Sequence, residues 1–285
     1  MIASQRQFFI LSRLRTRGAV RIAALSKELG VSSMTVRRDI ADLADRGLLR
    51  RVHGGAVSTS ALLAEPLFSV KSQLDVDLKD EIAQAAISFV SPGDVVAIGG
   101  GTTTYVFAQR LMESRNSDGI TILTNSTPVA ELVQATESKD VEVIVTGGVV
   151  TRSNSLVGPI ADKIISSLRV NSLFLGTHSV SIPRGFLTPN SLEASTNQAL
   201  MSISDRTFIL ADHSKWQNTS LSLFAGFDQV DAVIADSGLP PAQASATREL
   251  VKELVLAEAS DSSAYAKGKN RGLDDEDSDD DDSDL

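Results

Sequence analysis

The stretch Val31 to Ala56, VSSMTVRRDIADLADRGLLRRVHGGA, constrains this chain more than any other, because it sets a basic amphipathic helix beside a short basic hairpin. Ser32 is a candidate N-cap, and the apolar positions Val36, Ile40 and Leu43 recur at the helical period, which predicts a helix with one buried stripe and Gly47 as its stop. Turning by about 100° per residue from that stripe, Met34, Arg38, Ala41 and Asp45 face outward and Arg37 lies on a flank. Upstream, Ile22, Leu25 and Leu29 share one face of a helix over 21–29, and Gly30-Val31-Ser32 joins the two helices with helix-turn-helix spacing. A helix over 4–16, with Ile10, Leu11 and Leu14 toward the core and Gly18 as its stop, completes a three-helix unit. The run Leu48 to Gly55 reads as a wing.

In such a unit the second helix of the pair enters the major groove while flanking cations hold phosphates. The candidate DNA contacts are therefore Ser32, Ser33, Met34, Thr35, Arg37 and Arg38 on the helix, with Arg50 and Arg51 on the wing. Both helix arginines are candidates for a guanine edge or a phosphate. Charge partition supports the reading: residues 1–60 carry eleven Lys and Arg against four Asp and Glu, on a chain whose formal net charge is −9. A basic module on an acidic body is an electrostatic footprint for phosphates.

A chain of 285 residues predicts roughly two domains. A module of about 60 residues is marginal alone, so the remainder must supply most of the core and the contacts of a homo-oligomer, dimer or tetramer. The sequence has no apolar run of about 18 residues to span a membrane, and its amino terminus breaks a short apolar stretch with arginines, so the expected location is the cytoplasm. The absence of cysteine excludes disulfides, thiolate zinc sites and cysteine nucleophiles.

The division expected is a winged helix-turn-helix over 1–57, a linker over 58–77, an α/β effector and oligomerisation domain over 78–257 and an acidic tail over 258–285. A helix from Leu78 through Ile82, Ala86, Phe89 and Val90 leads to the turn Ser91-Pro92-Gly93. Strand candidates follow at 94–98, 120–124, 141–146, 172–176, 207–211 and 232–235, separated by helical segments, which predicts a parallel sheet. Between the first strand and the next helix stands Gly99-Gly100-Gly101-Thr102-Thr103-Thr104, where glycines let backbone amides approach an anion and the helix terminus adds partial positive charge. Ligands in open parallel sheets bind beyond the carboxyl ends of the strands. Gly100, Gly101, Thr102, Thr103, Thr104, Asn125, Arg152 and Lys215 all fall at such ends and are candidates for a phosphorylated ligand. The tail from Asp274 to Leu285 is nearly all acidic, which predicts disorder and a solubilising role.

Two sets of motifs carry a family resemblance. Arg6 and Ile10, Leu25, Leu29-Gly30-Val31-Ser32, Thr35-Val36-Arg37-Arg38-Asp39-Ile40, Leu43 and His53-Gly54-Gly55-Ala56 closely resemble the amino-terminal domain of the DeoR family of bacterial transcription regulators. GGGTTT, LTNS, VTGGVVTRSNSLVGP, FLG, RGFLTPNSLEA and ADHSKW resemble the effector domain of the same family, so the likeness spans about residues 1–257. The resemblance implies a winged helix-turn-helix on an operator in double-stranded DNA and a sensor domain similar to ribose-phosphate isomerases and CoA transferases. It implies a repressor of carbohydrate metabolism genes, released by a phosphorylated sugar or related metabolite, and it adds Glu193 and Lys79 as effector-pocket candidates.

One departure is informative. Where the family and the related isomerases carry a D-G-x-D stretch, this chain reads Thr177-His178-Ser179-Val180-Ser181. Both carboxylates are absent, which weakens the alternative of a sugar-phosphate isomerase fused to a DNA-binding domain, since proton abstraction needs a positioned base. His53, His178 and His213 have no ligand spacing, so neither a metal nor another cofactor is expected. A third reading, a regulator whose effector domain only oligomerises, stands beside these.

Overall fold

A computed structural model of the chain describes residues 2–17, 19–46, 48–52, 54–57, 68–72, 75–136 and 140–258. The expected stops Gly18 and Gly47, the histidine His53, linker residues 58–67 and tail residues 259–285 lie outside the described residues.

The amino-terminal unit runs α1 (Ala3–Arg17), β1 (Ala19–Arg21), α2 (Ile22–Leu29), α3 (Ser33–Asp45), β2 (Arg50–Val52) and β3 (Gly55–Val57). Ile10, Leu14, Leu25, Val36, Ile40, Leu43 and Leu49 are buried together, so the stripes read from periodicity form one small core. Arg21, read as the first residue of α2, is instead its N-cap, because β1 pairs antiparallel with β3 and the wing becomes a three-stranded sheet in the order β1-β3-β2. Gly55 is required there: a Cβ would stand 2.0 Å from the Val20 carbonyl oxygen. Arg6 on α1 makes a bidentate pair with buried Asp39 on α3, Nε to Oδ2 at 2.7 Å and a second bond at 3.2 Å.

The second unit begins with α4 (Phe68–Lys71), a helical turn inside the expected linker, and α5 (Val76–Ile87), which starts two residues before Leu78 and ends before Phe89 and Val90. Alternation follows as β4 (Val95–Ile98), α6 (Thr102–Met112), β5 (Thr121–Thr124), α7 (Thr127–Ala135), β6 (Glu142–Val145), the pair β7 (Val149–Val150) and β8 (Leu156–Val157), and α8 (Pro159–Ile165). Then come β9 (Val170–Gly176), β10 (Ser179–Ser181), β11 (Gly185–Thr188), α9 (Ser191–Ser202), β12 (Ser204–Leu210), β13 (Ser222–Ala225), β14 (Ala232–Ala235), α10 (Pro241–Arg248) and β15 (Glu253–Leu256).

Seven strands form one sheet in the order β15-β14-β12-β9-β4-β5-β6, parallel throughout. All six strand candidates belong to it, and β15 adds a seventh at one edge. One face packs on α5, α6 and α7, where Phe107, Phe174 and Phe208 stack at centroid distances of 4.2 and 4.9 Å. The other face packs on α8, α9 and an antiparallel sheet in the order β10-β11-β13, through Ile165, Leu200, Phe186 and Phe224. That second sheet was not expected: β10 and β11 form a local hairpin of strands only three and four residues long, and β13 joins it from more than thirty residues on.

Candidate functional site

The amino-terminal unit presents α3 outward. Ser32 Oγ accepts the Thr35 amide at 3.1 Å and shares a hydrogen bond of 2.9 Å with the Thr35 hydroxyl, so Ser32 is occupied as the cap of the helix. Ser33, Met34, Arg37 and Arg38 are exposed, while Thr35 is half-buried. Met34 is 70% exposed, an unusual setting for a large apolar side chain and one that suits contact with a thymine methyl. Asp39, inside the same Thr-Val-Arg-Arg-Asp run, turns inward to Arg6 and serves the core of the unit. The exposed Arg51 lies on β2 beside Arg50, and Ile22 N donates to Gly54 O at 2.9 Å, tying the wing to α2.

In the second unit an open cleft lies beyond the carboxyl ends of β4, β5, β9 and β12, where ligands of open parallel sheets bind. Gly100, Gly101, Thr102, Thr103, Asn125, Glu193 and Lys215 line it. The glycine turn is built for the cleft: a Cβ at Gly100 would stand 1.9 Å from Ser155 Oγ. Gly100 N donates to Asn125 Oδ1 at 2.9 Å and Asn125 Nδ2 donates to the Leu156 carbonyl at 3.1 Å, so the Asn125 amide braces the loops. Gly101 precedes α6, whose amino terminus has no side-chain cap and opens on the cleft through Thr102 and Thr103. Uncapped amides of this kind have the chemistry to hold an anion.

Three expected residues do not line the cleft. Thr104 is buried and its hydroxyl donates to the Gly101 carbonyl at 3.0 Å. Arg152 is exposed, and its carbonyl accepts the Phe68 amide at 3.4 Å. Lys79 is buried behind the cleft with Nζ 2.7 Å from the Lys71 carbonyl.

Several lining residues escaped sequence reasoning, among them Lys71, Ser153, Ser155, Thr188 and Asn197, while His178, already singled out as a departure from the family resemblance, also lines the cleft. Glu193 Oε1 accepts from Thr151 Oγ1 at 2.8 Å and from Ser153 Oγ, and Oε2 accepts from Thr188 Oγ1 at 3.0 Å. Asn197 follows Glu193 by one helical turn, a spacing that could have found it. Ser153 and Ser155 stand inside a stretch already singled out, without a spacing that reveals their direction.

Lys71 and Lys215 bring positive charge to the same cleft. Lys215 Nζ lies 3.0 Å from Asp212 Oδ2. Burial opposes the Asp212 charge, but Lys215 and hydrogen bonds from Ser214 outweigh it and hold the carboxyl below its ordinary value. Burial pushes the Lys79 ammonium down to about 8, and the charges of Lys215 and Lys71 add to the push against Asp212 and Asp75. His178 is lowered to about 3, first by burial and then by Lys71 and Lys215. The third histidine, His213, is held by Asp236 at 2.7 Å. Among the described residues no group of three His, Asp or Glu side chains is placed to hold a metal.

A basic helix-turn-helix joined to a parallel-sheet sensor defines a class of ligand-controlled DNA-binding regulators. Residues 6–61 match the DeoR-like helix-turn-helix domain and residues 74–237 match the DeoR C terminal sensor domain, so the chain belongs to the DeoR family. It is 32% identical over 254 residues to the transcriptional repressor AccR of Agrobacterium fabrum, covering 88% of this chain and 96% of that protein. It is also 32% identical over 231 residues to the lactose phosphotransferase system repressor of Staphylococcus epidermidis, covering 80% of this chain and 90% of that protein. Among solved structures it is similar to the ribose 5-phosphate isomerase of Methanocaldococcus jannaschii, at 17% identity and a TM-score of 0.38 over 50% of this chain and 54% of that one. Among the described residues no helix is long and apolar enough to cross a membrane.

Proposed function

We propose that this protein is a cytoplasmic, homo-oligomeric repressor of carbohydrate metabolism genes whose grip on its operator is controlled by a phosphorylated sugar or related metabolite. Residues 1–57 hold the DNA, 58–77 connect, 78–257 sense and oligomerise, and 258–285 form an acidic tail. Ser33, Met34, Thr35, Arg37, Arg38, Arg50 and Arg51 meet the DNA, with Ser32 capping their helix. The phosphoryl group sits at the amino terminus of α6 within reach of the positive field of Lys71 and Lys215, and the hydroxylated end faces Glu193.

The observation that carries this reading is that Lys71, from the segment joining the two units, lines the same cleft as the uncapped amino terminus of α6. Glu193 supports a sensor over an enzyme, because both of its oxygens already accept hydrogen bonds from hydroxyls and serve better as fixed acceptors than as a base. The test is to select bound DNA from a random pool with the purified protein, then titrate the complex with ribose 5-phosphate, glucosamine 6-phosphate and other sugar phosphates. A cognate compound releases the DNA, stabilises the protein by about 2.7 kcal/mol at a hundred times its dissociation constant, and is recovered unchanged. Turnover, or a panel in which no compound stabilises or releases, overturns the reading.

A further inference from the structure

The seven-stranded sheet ends in β6, which pairs with β5 and, among the described residues, with no strand on its other side. Edge strands are ordinarily guarded by lysine, proline or a bulge. This one reads Glu-Val-Ile-Val, with Ile144 38% and Val145 42% exposed. The apolar surface continues past the strand. A Cβ at Gly147 would lie 3.8 Å from Ile164 and 4.0 Å from Ile160, so the turn out of β6 rests on α8, where those two side chains are one turn apart and exposed. β7 then adds Val149 and Val150, both more than half exposed. Ile144 and Val145 flank the open edge from opposite faces of the sheet, with Ile160, Ile164, Val149 and Val150 beyond it, and monomeric proteins rarely leave so many aliphatic side chains to water around one edge.

We propose that this patch is where two copies of the chain meet, β6 of one pairing antiparallel with β6 of the other about a two-fold axis. The inference deepens the homo-oligomer part of the proposed function and rests on it. A two-fold contact uses the same patch on both copies and must be self-complementary. β6 begins at Glu142, two residues after the exposed Asp140, and its exit turn rests on α8, which carries the exposed Lys163 while Asp162 is engaged by Ser195 and Thr196. Antiparallel pairing sets the acidic start of each strand toward the basic end of its mate, whereas parallel pairing sets acid on acid. Two helix-turn-helix units reading half-sites also require a pair of copies.

The test uses the full chain and Val145→Arg with Val149→Arg, at exposed positions away from the cleft, followed by analytical ultracentrifugation and far-ultraviolet circular dichroism. The wild type sediments as a dimer or a multiple of it. The variant keeps its spectrum while self-association weakens at least about a hundredfold, since like charges then face each other. Glu142→Lys also weakens association, and Glu142→Lys with Lys163→Glu restores it. An oligomeric wild type whose double-arginine variant associates equally well removes this surface and leaves the homo-oligomer reading intact. A wild type that stays monomeric removes both, and slow hydrogen exchange at β6 in that monomer assigns the edge to another segment of the same chain.

Discussion

His178 lies in the stretch where the family resemblance led us to expect carboxylates, and its setting gives the imidazole a definite character. It lines the cleft beside Lys71 and Lys215, and burial followed by those two charges lowers its imidazole to about 3. The ring is therefore neutral at every physiological pH and can donate and accept a hydrogen bond without adding to the positive field. The linkage has a definite sign. Below the ordinary histidine value of about 6.5 the unfolded chain takes up a proton that the folded chain refuses, so this residue's share of stability is present above that pH and is lost as pH falls toward 3. His178→Asn removes the titration while keeping a small polar side chain. Its melting temperature should fall less between pH 7 and pH 4 than that of the wild type; parallel curves would show that the ring protonates freely in the folded protein.

At the scale of elements, α3 joins the sequence to the function most directly. Its buried stripe, cap and outward arginines follow from one helical period, so Arg38 faces away from Val36, Ile40 and Leu43 and stands exposed. Arg38→Ala should cost about 1 to 3 kcal/mol of operator affinity and relax preference at one base position. Selection profiles for both proteins check this, and a loss spread evenly over all sequences would instead mark a phosphate contact. The five inner strands of the large sheet were legible for a similar reason, since buried parallel strands read as apolar runs, and the edge strand β6 was legible because Val143 to Val145 form such a run although they are largely exposed. β15 escaped because Leu254 to Leu256 are only half-buried, and the hairpin of β10 and β11 because its strands are only three and four residues long and its third member, β13, lies more than thirty residues on, as Leu187 opposite Leu223 shows. Within the cleft, Gly100 to Thr103 were legible as a turn before a helix. The hydroxyls around Glu193 were not, because Thr151 and Ser153 reach it from some forty residues away and no spacing records that approach.

For the whole molecule the question is how a ligand in one unit alters the hold of the other on DNA. α4 stands between them, ten residues beyond β3, and it is held at both ends. The Phe68 amide donates to the Arg152 carbonyl, the Phe68 ring meets Tyr105 of α6 edge-on at 5.7 Å, and the Lys71 carbonyl accepts from Lys79. Its last side chain, Lys71, lines the cleft in which we propose the effector binds. A ligand shifts an equilibrium only by its differential affinity for the two states, and Lys71 is the lining group whose position belongs to the connecting segment. Lys71→Ala leaves the α6 terminus and Lys215 in place, so a sugar phosphate still binds, on the order of tenfold more weakly for the loss of one charge-assisted contact. DNA affinity without ligand stays as in the wild type. The factor by which saturating ligand weakens DNA, expected at roughly 5- to 150-fold for a typical coupling of 1 to 3 kcal/mol, should shrink toward one. Anisotropy titrations of labelled operator, with and without saturating ligand, measure that factor in both proteins. Because coupling is reciprocal, the variant's affinity for ligand should also become indifferent to DNA; a factor equal to the wild type's would place the coupling in contacts other than α4.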